Sequence, residues 1–110
     1  MFWCLFLTSV TLHLTLGVII ASIRHKGLRL FYEKGDASKL PAAQLRKITS
    51  ILTFLEVASS PQEMAQPGFG FHSLSGELQD FYAVKVTANY SIIFRFDGED
   101  AVDVDYLDYH

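Results

Sequence analysis

The chain has 110 residues, the length of one domain, and two independent cores would each bury too little surface at this size. Nine bases against twelve acids give a formal charge of −3, which excludes a uniformly basic nucleic-acid coat. Half of the residues are hydrophobic, which excludes a disordered chain, and a single cysteine, Cys4, excludes an internal disulfide framework and an all-cysteine metal site.

Residues 1–23 contain no Asp, Glu, Lys or Arg; sixteen of these 23 are apolar and only His13 is able to carry a charge. The stretch is long enough to cross a bilayer, which takes about 20 apolar residues. Arg24, His25 and Lys26 follow at once, as a positive-inside flank does. A secretory signal fits less well, because no base precedes Phe2-Trp3-Cys4-Leu5. In a third reading translation begins at a codon otherwise read as Val18, just ahead of Ile19-Ile20-Ala21-Ser22-Ile23, a good first strand. Either way, residues 1–17 are a hydrophobic extension, distinct from a domain spanning 18–110.

Lys26 to Lys34 is predicted helical. Leu28, Phe31 and Tyr32 fall at i, i+3 and i+4 on one face, and Gly35 supplies a left-handed stop. Pro41 suits the first turn of a second helix. There Leu45, Ile48, Leu52 and Leu55 form one apolar stripe, with Arg46, Lys47 and Glu56 off it, and Ser59-Ser60-Pro61 ends the helix. Gln66-Pro67-Gly68-Phe69-Gly70 reads as a loop.

Phe81 to Val86, Tyr90 to Phe96 and Ala101 to Tyr106 alternate with period two and read as strands. Tyr82, Val84 and Val86 share a face, as do Tyr90, Ile92, Phe94 and Phe96, and Val102, Val104 and Tyr106. Asp97-Gly98-Glu99-Asp100 is a turn. Pairing apolar with apolar sets Val84 opposite Ile92 and Val86 opposite Tyr90, so Lys85 lies opposite Ser91. A three-residue loop, Thr87-Ala88-Asn89, satisfies this register if Asn89 adopts the left-handed conformation. The whole reads as α+β, two N-terminal helices packed on a small antiparallel sheet. Residues 24–47 hold seven bases and two acids, whereas 97–108 hold six acids and no base. Such segregation marks solvated faces of opposite sign, or a basic surface for RNA beside an acidic one.

Several strings then carry a resemblance. Ile23-Arg24-His25-Lys26-Gly27-Leu28, Leu30-Phe31-Tyr32-Glu33-Lys34-Gly35, Phe71-His72-Ser73-Leu74-Ser75-Gly76, Ala88-Asn89-Tyr90-Ser91-Ile92-Ile93-Phe94-Arg95-Phe96 and the closing Val104-Asp105-Tyr106-Leu107-Asp108-Tyr109-His110 resemble, in order and spacing, HigB-type toxins of the RelE superfamily. The resemblance covers residues 20–110. It implies a RelE-like α+β fold and ribosome-dependent cleavage of messenger RNA in the cytoplasm. It also implies a helix-turn-helix antitoxin partner of the HigA kind, with operator DNA reached only through that antitoxin and with no cofactor, metal or small-molecule ligand. Members begin near residue 20 of this chain, which shifts weight toward a mis-set start.

Cleavage by attack of a 2′-hydroxyl needs a base, a cation to stabilise the phosphorane, and an acid for the leaving oxygen. By resemblance the family's positions fall on His72, Ser75, Ser91, Tyr109 and His110. His72 and His110 then serve as general base or acid, in either order, and Tyr109 positions substrate. Ser75 and Ser91 stand where the family carries Lys and Arg, so the expected activity is weakened, or the chain is a degenerate relative that binds antitoxin or ribosome without cutting. Lys85, across from Ser91, is the candidate replacement cation; Arg95 shares that face about 13 Å along the strand. Arg24, Lys26, Arg46 and Lys47 suit contacts to the RNA backbone, although such residues most often form solvated faces. Asp103 and Asp105 are expected to point outward and solubilise their strand, with no clustered histidine to make them a metal pair.

Overall fold

The computed structural model describes residues 20–108. The extension 1–17, Tyr109 and His110 lie outside the described residues.

Helix α1 spans Lys26–Lys34 and opens on His25, whose Nδ1 accepts from the Leu28 N–H at 3.0 Å. Gly35, at φ 74°, ends it: its N–H donates to the Phe31 carbonyl at 3.0 Å and the Asp36 N–H to the Leu30 carbonyl at 3.4 Å. The predicted bounds and stop both hold. Gly27 is the one point of close approach: a Cβ there would lie 2.7 Å from Lys39 Cβ. In the His-Lys-Gly-Leu string, the histidine therefore caps and the glycine clears a crossing of chain.

Pro41 precedes a 3-10 turn, Ala42–Gln44, that leads into helix α2, Leu45–Val57. The buried stripe of α2 is Ile48, Ile51, Leu52 and Leu55, with Leu45 half-buried at its start. A second 3-10 turn, Pro61–Met64, follows.

Four antiparallel strands in the order β1-β2-β3-β4 complete the fold: β1 His72–Ser73, β2 Tyr82–Lys85, β3 Tyr90–Asp97 and β4 Asp100–Asp108. Beyond β4 the stretch from Ile20 to Ile23 runs parallel to it, bridging at Ala101 and Val104. The predicted first strand is thus reduced to two bridges.

One face of the sheet carries Val84, Val86, Ile92, Phe94, Ala101, Val104 and Tyr106, packed with Leu28 of α1 and the α2 stripe in the main core. On the other face, Leu74, Phe81, Ala83 and Ile93 form a second cluster, where the segment joining β1 to β2 folds back over the sheet.

The β2–β3 register is the one parity required: Val84 pairs with Ile92 and Lys85 with Ser91. The turn between them is stabilised differently from expectation. Asp103 is the one non-glycine at positive φ among the described residues, so Asn89 is not left-handed. Instead the Thr87 hydroxyl accepts from the N–H groups of Asn89 and Tyr90, at 3.3 and 3.1 Å.

Asp103, at φ 53°, makes a bulge. Ile93 pairs with Asp105, but Arg95 pairs with Val102, so two residues of β4 oppose Phe94. The extra residue flips the faces beyond it. Ala101, not Val102, joins Val104 and Tyr106 on the core side, which corrects the uninterrupted alternation expected from sequence.

Candidate active site

His72 stands opposite Ala83, on the face away from the helices. Ala83 and Lys85 are two apart on β2 and share that face, and Lys85 faces Ser91 across β2–β3. His72, Lys85 and Ser91 are therefore brought to one side of one sheet. His72 and Lys85 are diagonal neighbours, about 7–8 Å apart by pleat geometry.

The Lys85 N–H donates to the Phe69 carbonyl at 2.7 Å, away from β3. Lys85 and Ser91 thus form a pair without mutual backbone hydrogen bonds, the kind that brings side chains closest. Ser91 is 3% exposed, the one polar residue buried among those described, whereas Lys85 is exposed. The Lys85 stem lies against Gly70, where a Cβ would sit 3.4 Å from both Cγ and Cδ. Gly70 itself is at φ 59°.

The same glycine orients the histidine. His72 Nδ1 lies 2.9 Å from the Gly70 carbonyl oxygen. A carbonyl only accepts, so Nδ1 carries the proton, and in the neutral ring Nε2 is left with its lone pair. The imidazole is exposed, and in that tautomer Nε2 is the ring's free acceptor. Gly70 was not among the residues singled out from sequence. The signal that could have found it was a glycine two residues before a candidate catalytic histidine.

Ser75 is exposed, two residues beyond the end of β1, and caps the 3-10 turn Gly76–Leu78. Tyr90 packs: its ring stacks on Tyr106 at 5.3 Å and 13°. Tyr106 in turn donates to Gln44 Oε1 and meets the His25 ring edge-on at 5.2 Å. Burial first, then neighbouring Tyr90, raises the Tyr106 phenol above its ordinary value. Tyr109 and His110 are outside the described residues; the residue before them, Asp108, pairs with Tyr90, next to Ser91.

The four candidate RNA contacts separate. Arg24 lies on the His72 face, its guanidinium 5.8 Å from the centre of the Phe81 ring. Lys26 is exposed in the first turn of α1, and Arg46 is exposed on α2, in the helical layer behind the sheet. Lys47 is half-buried and held inward, donating to the Gly68 carbonyl at 2.9 Å with its ammonium 5.7 Å from the Phe69 ring centre.

Asp103 was expected to be an outward solubilising residue, and the structure corrects this. Its carboxylate receives Arg95 Nε at 2.7 Å and Arg24 Nε at 3.5 Å. Asp105 is half-buried, its carboxylate accepting from the Tyr106 N–H at 3.0 Å. Among the described residues no group of three or more His, Cys, Asp or Glu side chains could hold a metal ion, and no helix is long and apolar enough to cross a membrane.

Comparison with known proteins follows the same lines. Residues 21–110 match the family described as "RelE-like toxin of type II toxin-antitoxin system HigB". Endoribonuclease HigB of Proteus vulgaris is 35% identical over 92 residues, which cover 84% of this chain and 100% of that protein. A solved structure of a copper-bound mutant toxin from Helicobacter pylori superposes with a TM-score of 0.50 at 13% identity, over 83% of this chain and 94% of that one, and shares the fold.

Proposed function

Since this chain belongs to the HigB-like, RelE-type toxins of type II toxin–antitoxin systems, we propose that it is an endoribonuclease that cuts messenger RNA on the ribosome, in the cytoplasm. A type II toxin has an antitoxin partner; here that partner is a helix-turn-helix protein, through which alone the toxin reaches operator DNA.

The observation that carries the enzymatic reading is the His72–Gly70 hydrogen bond. It leaves Nε2 as the basic nitrogen, so His72 is the group that takes the 2′-hydroxyl proton. Lys85, beside it on the same face, stabilises charge on the phosphorane in place of the missing Arg at Ser91. By resemblance, His110 protonates the leaving 5′-oxygen and Tyr109 positions the substrate. Their attachment point supports this reading, because two residues reach at most about 7 Å beyond Asp108.

The test is cleavage of a translated message on purified ribosomes by the full chain. His72→Gln lowers the rate by about 10²–10⁴-fold, and Lys85→Ala by about 10²–10³-fold. A wild-type rate in Lys85→Ala overturns the replacement of the missing cation.

A second reading is favoured by Ser91, which is buried where a guanidinium is expected, and by Ser75, which leaves the other family cation absent. On that reading the chain binds antitoxin or ribosome without cutting. A wild-type chain that sediments with ribosomes and leaves the message intact decides for it.

A further inference from the structure

Among the described residues there are two ion pairs, and both end on one carboxylate, Asp103. The arrangement exceeds what the bulge needs. The Asp103 N–H donates to Ser22 Oγ at 2.8 Å, and Ala21, Arg24 and Val104 exchange backbone hydrogen bonds across the same seam at 2.7–3.1 Å. With the backbone already pinned, half-exposed ion pairs add about 0–1 kcal/mol.

What the cluster does have is unneutralised charge. Two guanidinium groups against one carboxylate leave a net +1. The Arg24 and Arg95 side chains are 56% and 39% exposed, against 22% for Asp103. Each arginine meets Asp103 through Nε, so the fork of Nη donors on each is not what holds the carboxylate. Phe81 supports the Arg24 guanidinium from below. Pre-set guanidinium forks of this kind match phosphate oxygens.

Their position gives the cluster a role. Ser91, Ile93 and Arg95 alternate onto one face of β3, so Arg95 shares the face of His72 and Lys85 and lies about 13 Å from Ser91 along the strand. Between them lies the covering segment with its second apolar cluster.

We propose that Arg24 and Arg95, held apart and oriented by Asp103, form a binding site for an RNA phosphate remote from the scissile one. Asp103 is a positioning residue: its side-chain oxygens meet Arg95 Nε and Arg24 Nε, an acceptor role that the amide oxygen of an asparagine keeps in part while its negative charge is removed. The inference rests on the RNA-directed reading of this face, yet its test does not depend on cleavage.

Binding of the full chain to a short single-stranded RNA is measured by fluorescence anisotropy across a salt series, in wild type, Arg24→Gln, Arg95→Gln, Asp103→Asn and Lys34→Gln. Lys34 sits in the last turn of α1 and is the control for loss of one charge. Each arginine variant is expected to weaken binding about three- to tenfold and to flatten the salt slope by about 0.7, with the control unchanged. Asp103→Asn keeps a residue that tolerates positive φ and is expected to bind at least as tightly as wild type. Arginine variants that behave like Lys34→Gln both with the oligonucleotide and with ribosomes overturn the site. So does an Asp103→Asn chain as weak as they are, since that marks a clamp for the bulge and nothing more.

Sedimentation with ribosomes in rising salt provides the second arm. A defect confined to ribosomes assigns the phosphate to ribosomal RNA, and one confined to the oligonucleotide assigns it to the message; both support the site. If wild type fails to cut while the arginine variants still lose RNA, the phosphate site stands and the endoribonuclease reading falls.

Discussion

A neutral imidazole carries one N–H, and in His72 the Gly70 carbonyl takes it at Nδ1, which leaves Nε2 as an acceptor. Gly70 holds this carbonyl from a left-handed conformation, at φ 59°, and a methyl group there would be strained by that angle and would touch the Lys85 stem at 3.4 Å. Gly70→Ala is therefore expected to destabilise the fold by about 1–2 kcal/mol, measured as a lower urea midpoint. The same variant should lower cleavage more than RNA affinity, because the displaced groups are His72 and Lys85. A change in affinity alone would remove Gly70 from the catalytic account. The sequence offered His72 and the Lys85–Ser91 pairing, since both follow from strings and parity. The orienting carbonyl was not legible, because it depends on a backbone angle that the letters Phe-Gly-Phe do not specify.

Between elements, the seam of Ile20–Ile23 with β4 is fastened by Tyr32 as well as by the bulge. The Tyr32 hydroxyl donates to Glu56 Oε2 at 2.9 Å and accepts from the Ile20 N–H at 3.5 Å, tying α1, α2 and the entering strand together. Burial, then the Glu56 carboxylate, pushes this phenol far above its ordinary value of 10.0. The unfolded chain releases the proton near pH 10 while the fold retains it. The contribution is complete below that pH and is lost as pH rises toward the folded value. Thermal unfolding above pH 10 should fall less steeply in Tyr32→Phe than in wild type, at a cost of about 1 kcal/mol at neutral pH. At the bulge, Asp103→Val is expected to cost more than Asp103→Asn, by about 1–2 kcal/mol, because a β-branched residue resists positive φ. Equal midpoints for the two would deny that the bulge strains its backbone.

Over the whole molecule, the sheet divides labour between its faces. The helices cover one face, and its centre is Phe94, fully buried among residues of α2, β2 and β4. Phe94→Ala should cost about 3–5 kcal/mol, a large share of the 5–15 kcal/mol that holds a domain together, and calorimetry should show a collapsed transition. The other face is only partly covered, by the segment between β1 and β2, and it is left to His72, Lys85, Arg24 and Arg95. Lys85, Arg24 and Arg95 thus share one side of a chain whose net charge is −3, while Arg46 and Lys47 stay with the helical layer.

Local order was determined by the sequence alone: the bounds of α1, its glycine stop, the α2 stripe and the β2–β3 register. Each follows from spacing within a few residues, where side-chain periodicity and backbone geometry act directly. The bulge at Asp103, the exchange of Val102 for Ala101 in the core, and the pairing of both Arg24 and Arg95 with Asp103 were decided by tertiary structure. They arise where the entering strand from residue 20 meets β4 some eighty positions later, and a pairing across that distance leaves no period in the chain for the eye to follow.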